Sequence, residues 1–306
     1  MNLLKRLDIH ELWAQKRRAL PALGVFAVLC AAYLVAMNYL VPYAELKRWM
    51  EAQFRSVGVE ARLDGLGPGP FLGLAAQNVM LTPVGVPDRR TELRDVRVSL
   101  SLWSLVTFRP RVTLSADAMG GTVDARWALG KHRNLRMKWT GVDLGKAPFS
   151  PDVAALGLRG RSTGNLDATL PSPDLPEARL SGSFEATVSE AKLGPGTMGG
   201  FPLPGVALGT GQFRVVANQG RVNVQTARFD GGDLDASFNG TVDVPPNGGP
   251  RIVNGTLNLR PKGRAVEDLA FLFSFLPGTR GSDGAYTSRV GGKVGSLVLS
   301  PPAATR

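Results

Sequence analysis

Alternation of apolar and polar residues is the feature that most constrains how this chain can fold. It appears in residues 95–103 (DVRVSLSLW), 179–189 (RLSGSFEATVS) and 233–244 (DLDASFNGTVDV). Successive side chains of a β-strand point to opposite faces of a sheet, so this period indicates strands with one apolar and one polar face. The sequence therefore predicts a mainly β protein built on an antiparallel sheet.

Turn signals separate the predicted strands. Paired glycines stand at Gly120-Gly121 and at Gly231-Gly232, where tight hairpin connections favour them. The two pairs belong to a weak internal repeat, in which residues 115–127 (SADAMGGTVDARW) align with residues 226–238 (TARFDGGDLDASF). Repeated hairpins that each leave one apolar face predict an elongated or curved sheet.

A long uncharged segment precedes the predicted strands. No charged residue occurs from Ala19 to Ala44, and a helix needs about 20 apolar residues to span a bilayer core. Cleaved signal peptides have shorter apolar cores, of about 7 to 15 residues, so we predict an uncleaved transmembrane helix over residues 19–43. The basic residues in 1–18 then place this tail in the cytoplasm and the rest of the chain across the membrane. In a Gram-negative bacterium the helix would then span the inner membrane, with the tail in the cytoplasm and the bulk of the chain in the periplasm.

A juxtamembrane helix is predicted over residues 44–56. Leu46, Trp49, Met50 and Phe54 recur at helical spacing. Such a helix either caps the following domain or lies on the lipid headgroups, and the sequence leaves both interpretations open.

The remaining chain divides into three predicted segments. Residues 57–145 form a first β-rich segment, residues 146–178 a linker or strand region, and residues 179–306 a second β-rich segment. A short apolar helix is predicted over residues 264–276, because Pro277 and Gly278 end the pattern. Whether the two β-rich segments form one sheet or two stays open.

Composition and residue counts exclude several function classes. The net charge is +11, but the cations are dispersed and do not interleave with aromatic residues, so we expect no nucleic-acid binding. A single cysteine, Cys30, excludes an intrachain disulfide, and two histidines, His10 and His132, exclude a multi-histidine metal site. No nucleophile elbow, C-x-x-C pair or dinucleotide fingerprint is present, so we predict no enzyme and no catalytic, cofactor-binding or metal-binding residues.

One acidic cluster is the best candidate for a metal site. Asp230, Asp233 and Asp235 surround Gly231-Gly232 in the segment DGGDLDASFNG. In the related hairpin the first two aspartate positions are Met119 and Thr122, so the turn recurs without the would-be ligands. A calcium loop also needs more oxygen ligands than this segment offers. We therefore predict a hairpin tip with solvated acids.

The order of these features resembles a known family. The helix and strands of residues 46–127 (LKRWMEAQFRSVGVEARLDGL to GGTVDARW) resemble the AsmA-like class. The later segments, from FPLPGVALGTGQFRVVANQGRVNVQTARFDGGDLDASFNGTVDV to GAYTSRVGGKVGSLVLSPP, are similar to type II secretion system protein N (GspN).

This resemblance implies a function without catalysis. It implies an AsmA-like β-sheet and an accessory or assembly component anchored in the inner membrane, with the other inner-membrane secretion components as partners. The alternative is an AsmA-like protein that binds or transfers lipid, with phospholipid acyl chains on the apolar sheet face.

Overall fold

The computed structural model describes residues 25, 28, 29, 32, 33, 36, 40–56, 59–69, 72–83, 90–101, 111–128, 133–147, 157–170, 180–198, 201–245, 251–294 and 296–302. Among these residues, no helix combines the length and the apolar character that crossing a bilayer requires. Residues 1–18, and most of the membrane helix predicted over residues 19–43, lie outside the described part.

The described chain is mainly strand, as the alternation predicts. Its strands are β1 Val59–Asp64, β2 Gly67–Gly69, β3 Leu72–Pro83, β4 Thr91–Leu100, β5 Arg111–Ala118, β6 Gly121–Ala128, β7 Arg133–Asp143, β8 Arg159–Leu170, β9 Ser181–Leu193, β10 Gly196–Met198, β11 Phe201–Leu203, β12 Val206–Asn218, β13 Arg221–Gly231, β14 Leu234–Asp243, β15 Ile252–Pro261, β16 Thr279–Arg280, β17 Tyr286–Lys293 and β18 Ser296–Ser300.

Sixteen of these strands form one antiparallel sheet. Its order is β1-β3-β4-β5-β6-β7-β8-β9-β12-β13-β14-β15-β17-β16, with β2 beside β3 and β18 beside β17. Strands β10 and β11 form a separate hairpin. Most neighbours in the sheet are also neighbours in sequence, so the fold is a long meander whose pairings are mainly local.

Strand β8 joins the two predicted β-rich segments. It arises from the region predicted as linker or strand, and it pairs with β7 on one side and β9 on the other. The two β-rich segments are therefore parts of one continuous sheet.

The described helices are few, and apart from a 3-10 helix at Leu144–Lys146 they precede β1 or follow β15 in the sequence. Helix α1 (Tyr43–Ser56) precedes β1. Helices α2 (Ala265–Asp268) and α3 (Ala270–Phe275) follow β15. The single helix predicted over residues 264–276 is thus two short helices, because Leu269, with φ −100° and ψ 0°, interrupts it.

Buried side chains gather in two clusters. The N-terminal cluster consists of Leu63, Ala76, Val79, Val96 and Ala116, with Met50 of α1 packed against it. The C-terminal cluster lies under α2 and α3; its members are Val188, Ala191, Val206, Leu208, Leu234, Ala265, Leu269 and Phe273. Each cluster thus joins helical residues to one face of the sheet.

Candidate interaction surface

One row of residues crosses the apolar face of the sheet from strand to strand. Each member is paired directly with the next across neighbouring strands, from β3 to β18. Because neighbouring strands lie about 4.8 Å apart, the row extends roughly 58 Å. We call it the apolar row; its members are Leu74, Val98, Leu114, Ala125, Met137, Leu166, Phe184, Val215, Val224, Gly240, Gly255, Val290 and Leu299.

The middle of the apolar row is only half-buried. Met137, Leu166, Phe184, Val215 and Val224 are all of intermediate exposure. Among the described residues, no large side chain falls below 2% exposure, as expected where one layer of sheet has no second layer over it. Each of these residues is less than half exposed, so covering one of them contributes about 1 kcal/mol or less, and the row favours a partner through the sum of its members.

An aromatic ring lies flat on the sheet beside the row. Trp139 pairs with Gly164 across β7 and β8, and a Cβ on Gly164 would stand 2.5 Å from Cζ2 of the indole. The indole stacks on Phe184 with a centroid distance of 5.6 Å, and its Nε1 donates to the Ser162 hydroxyl oxygen at 2.9 Å. The missing Cβ therefore lets the ring cover the backbone while its one polar atom is satisfied.

A second ring fills the part of the row that has no side chains. Gly240 and Gly255 face each other on β14 and β15. The Phe238 ring lies over both, 2.8 Å and 2.5 Å from where their Cβ atoms would stand. The apolar row is thus continuous through its two glycines.

The opposite face of the same strands is polar. A depression of about 770 Å³ opens there over β7, β8, β9 and β12, lined by residues that include Lys138, Asn165 and Gln212. Ion pairs cross the strands on this face, with Arg136 Nε 2.8 Å from Asp167 and Arg214 Nε 3.0 Å from Glu185. These pairs are exposed, and such pairs stabilise a protein by about 1 kcal/mol or less.

A hydrogen-bonded pair on β4 has shifted pKa values. Arg94 donates to both carboxylate oxygens of Glu92, at 3.0 and 3.2 Å. These hydrogen bonds are the main reason that the pKa of Glu92 is lowered and that of Arg94 raised. The shifts come from one exposed pair, so their cause is a surface contact.

Helix α1 closes the outer edge of the sheet at β1. Glu51 Oε1 accepts a hydrogen bond from the Leu63 backbone N–H at 3.1 Å, and Lys47 lies 3.5 Å from Asp64. The sequence left open whether this helix caps the following domain or lies on the lipid headgroups. The structure shows it in contact with the first strand of the sheet.

The acidic cluster has structural partners. Asp230 lies 3.0 Å from Arg228, and Lys262 donates to Asp235 at 2.8 Å. The Asp233 carboxylate accepts from the Ala207 N–H at 3.3 Å. No group of three or more His, Cys, Asp or Glu residues within the described ranges has the geometry to hold a metal ion. The segment connects β13 to β14, which confirms the hairpin.

The two glycine pairs have matching roles in the structure. Gly120 and Gly231 adopt positive φ angles, 79° and 84°, with open space where a Cβ would stand. A Cβ on Gly121 would meet the Thr140 carbonyl oxygen, and one on Gly232 would meet the Ala207 carbonyl oxygen. The first glycine of each pair is thus required by the turn and the second by a neighbouring strand.

Sequence reasoning missed two features of this surface. The first is the position of Gly164 opposite Trp139 on the neighbouring strand. A lone glycine inside a strand pattern can indicate such a close approach, and it was the one signal in the sequence. The second is β18, an uncharged strand (SLVLS) followed by Pro301 and Pro302, whose lack of charge is unusual for the edge of a sheet.

Most of the sheet matches a known protein family. The model of the type II secretion system protein N family matches residues 76–289. No curated protein and no solved structure matches the chain significantly. The matched region begins in β3 and ends in β17, and it contains ten of the thirteen members of the apolar row. The chain belongs to the type II secretion system protein N family.

Proposed function

We propose that this chain is an accessory component of the type II secretion system that acts without catalysis, by binding other inner-membrane components along its sheet. Family membership makes it an accessory secretion protein. Its anchorage in the inner membrane, its periplasmic position and its assembly role are the proposed parts.

The half-buried apolar row is the observation that carries the proposal. A continuous apolar surface of this length is rare on a monomeric protein and typically marks an interaction site. In the described part of the chain, the helices pack on the N-terminal cluster and on the C-terminal cluster, and the middle members of the row, Met137, Leu166, Phe184, Val215 and Val224, belong to neither cluster. A partner that covers the middle would gain burial without any change of the sheet.

The N-terminal segment supports the membrane anchor. Described side chains within it, Val25, Val28 and Leu29, are helical, apolar and more than half exposed. Exposed apolar side chains of this kind are stable in a lipid environment. The anchor would hold α1, and through it β1, close to the membrane surface.

The test places a charge on the apolar row and compares it with a charge on the other face. Leu166→Asp puts a carboxylate in the middle of the row, whereas Asn165→Asp puts one on the polar face of the same strand. In a deletion strain, Leu166→Asp should lower exoprotein release and co-purification with other inner-membrane secretion components at least about tenfold, and Asn165→Asp should restore both.

Two results would overturn the proposal. One is normal secretion in the clean deletion strain. The other is equal behaviour of the two variants when both accumulate to the same level and resist protease equally. Photo-crosslinkers at positions 165 and 166 give an independent readout, because only position 166 should capture a secretion component.

Phospholipid acyl chains are a second candidate for the same surface. The row is continuous and uncharged, which suits acyl chains as well as apolar side chains. Mass spectrometry of the gently extracted protein would detect bound phospholipid. Lipid that is lost on Leu166→Asp, without any crosslinked secretion component, would favour this candidate over the first.

A further inference from the structure

The C-terminal end of the sheet has an open edge at β18. Among the described strands, β18 pairs with β17 alone, on one side. Within the described ranges, no other backbone hydrogen bond reaches its residues. An unpaired strand edge presents N–H and C=O groups that can pair with the strand of another chain.

Strand β18 lacks the devices that usually protect such an edge. Edge strands commonly carry charges or proline, but SLVLS has neither. Leu297 is 54% exposed and Val298 is 64% exposed, and these neighbours point to opposite faces of the sheet. The edge is therefore apolar on both faces.

Two cations that form no ion pair with a described residue lie next to this edge. In the register of β17 and β18, Arg289 is opposite Ser300 and Lys293 is opposite Ser296. Both cations are exposed, and neither forms an ion pair with another described residue. The carboxylates of the nearby strand β14, Asp235 and Asp243, already bind Lys262 and Arg221. Because serine is short, either cation can extend across it toward an added strand.

We propose that β18 binds an extended segment of a partner protein as an additional antiparallel strand with the pattern acidic–apolar–apolar–apolar–acidic. The outer acidic residues would face Ser296 and Ser300, within reach of Lys293 and Arg289. The central residue would pack on Val298, and its two neighbours on Leu297 and Leu299. Since Leu299 ends the apolar row, the added strand would continue the row.

Charge argues against a second copy of this chain as the occupant. In a two-fold antiparallel pair of β18 strands, Ser296 of one copy would face Ser300 of the other. Lys293 and Arg289 of both copies would then gather on one face. Like charges across neighbouring strands destabilise pairing, so an acidic partner fits this edge better.

The inference rests on the proposed function in one respect, that this chain acts by binding other proteins. Its test uses the purified full-length chain in detergent and needs no secretion assay, so the two can fail separately. The probe is the peptide Thr-Glu-Val-Ile-Val-Glu-Thr, labelled for fluorescence anisotropy, with Thr-Lys-Val-Ile-Val-Lys-Thr as its charge-reversed match. We expect the acidic peptide to bind at least about tenfold more tightly.

Reversing the charges of the protein sharpens the test. The double variant Arg289→Glu, Lys293→Glu should invert the preference of the chain for the two peptides, and it leaves the apolar edge intact. The double variant Arg136→Glu, Lys138→Glu changes two cations on β7, far along the strand order, and should keep the native preference. Equal binding of both peptides, binding of neither, or self-association through β18 would overturn the proposal.

Discussion

At the N-terminal end of the sheet, α1 packs on β1 and Glu51 accepts a hydrogen bond from the Leu63 N–H. At the C-terminal end, α2 and α3 pack on the C-terminal cluster, and β18 keeps a free edge. Both ends bury a core by placing a helix on the apolar face, but only the first also satisfies an edge donor. A closed edge ends a sheet, whereas an open one allows it to be extended.

Removing a buried aromatic side chain at the C-terminal end of the sheet should have the largest effect on stability. Phe273 is 6% exposed and stacks on Tyr286 with a centroid distance of 4.3 Å. Phe273→Ala should lower the free energy of unfolding of this end by about 3–5 kcal/mol. Hydrogen exchange of peptides from β12–β17 measures the loss, and peptides from β3–β6 report whether the N-terminal end is affected.

The matched control is Phe275→Ala on the same helix. Phe275 is 65% exposed, so this change should alter the free energy of unfolding by about 0.5 kcal/mol or less. In a meander each strand mainly contacts its neighbours, so the N-terminal end should keep its protection in Phe273→Ala. Equal loss of protection at both ends would show that the sheet unfolds as one unit and would remove the distinction between them.

The alternation predicted which residues face the core, because side-chain direction in a strand depends only on the parity of position. Val96 and Val98, Phe184 and Val188, and Leu234 lie on the face that the pattern assigns to them. The hairpin at Gly231-Gly232 was also predicted, since turn chemistry is local.

Long-range features could not be read from the chain. The union of two β-rich segments depends on the pairing of β8 with both neighbours, which no local pattern encodes. The Trp139 ring covers Gly164 only because the register places residues 139 and 164 opposite each other. The open edge at β18 was missed for the same reason, because a strand is at an edge only relative to the rest of the sheet.

Adding one methyl group in the middle of the sheet tests whether the two ends communicate. A Cβ on Gly164 would collide with the Trp139 ring and with the Glu185 carbonyl oxygen. Gly164→Ala should therefore cost about 1–3 kcal/mol of stability. Tryptophan fluorescence should change, and hydrogen exchange should rise in β7–β9, the strands next to the substitution.

Gly67→Ala is the control for this change. Nothing lies within 4 Å of the position that its Cβ would take, so only a small effect is expected. If Gly164→Ala also leaves stability and fluorescence unchanged, the ring is not held on the glycine. If Gly164→Ala raises hydrogen exchange at both ends of the sheet, the stabilities of the two ends are coupled through the middle strands.

Removing the hydrogen bond between α1 and β1 should have the smallest effect on stability. It tests directly the difference between the edges at β1 and β18. Glu51→Ala removes the acceptor of the Leu63 N–H. The bond is only partly buried, so we expect a loss of about 1 kcal/mol and roughly fivefold faster exchange of that amide. Glu51→Gln keeps an acceptor oxygen and should retain most of the protection, and Glu45→Ala, on the exposed first turn, should change nothing at Leu63.

The uncapped edge should still not behave like β18. Glu60, Arg62 and Asp64 place charges along β1, and charges on an edge strand oppose pairing with another strand. Glu51→Ala should therefore neither self-associate nor bind the acidic strand peptide through β1, as the unchanged stoichiometry of peptide binding would show. A second equivalent of bound peptide would mean that backbone exposure alone decides strand addition, and that the uncharged character of β18 is not what distinguishes the two edges.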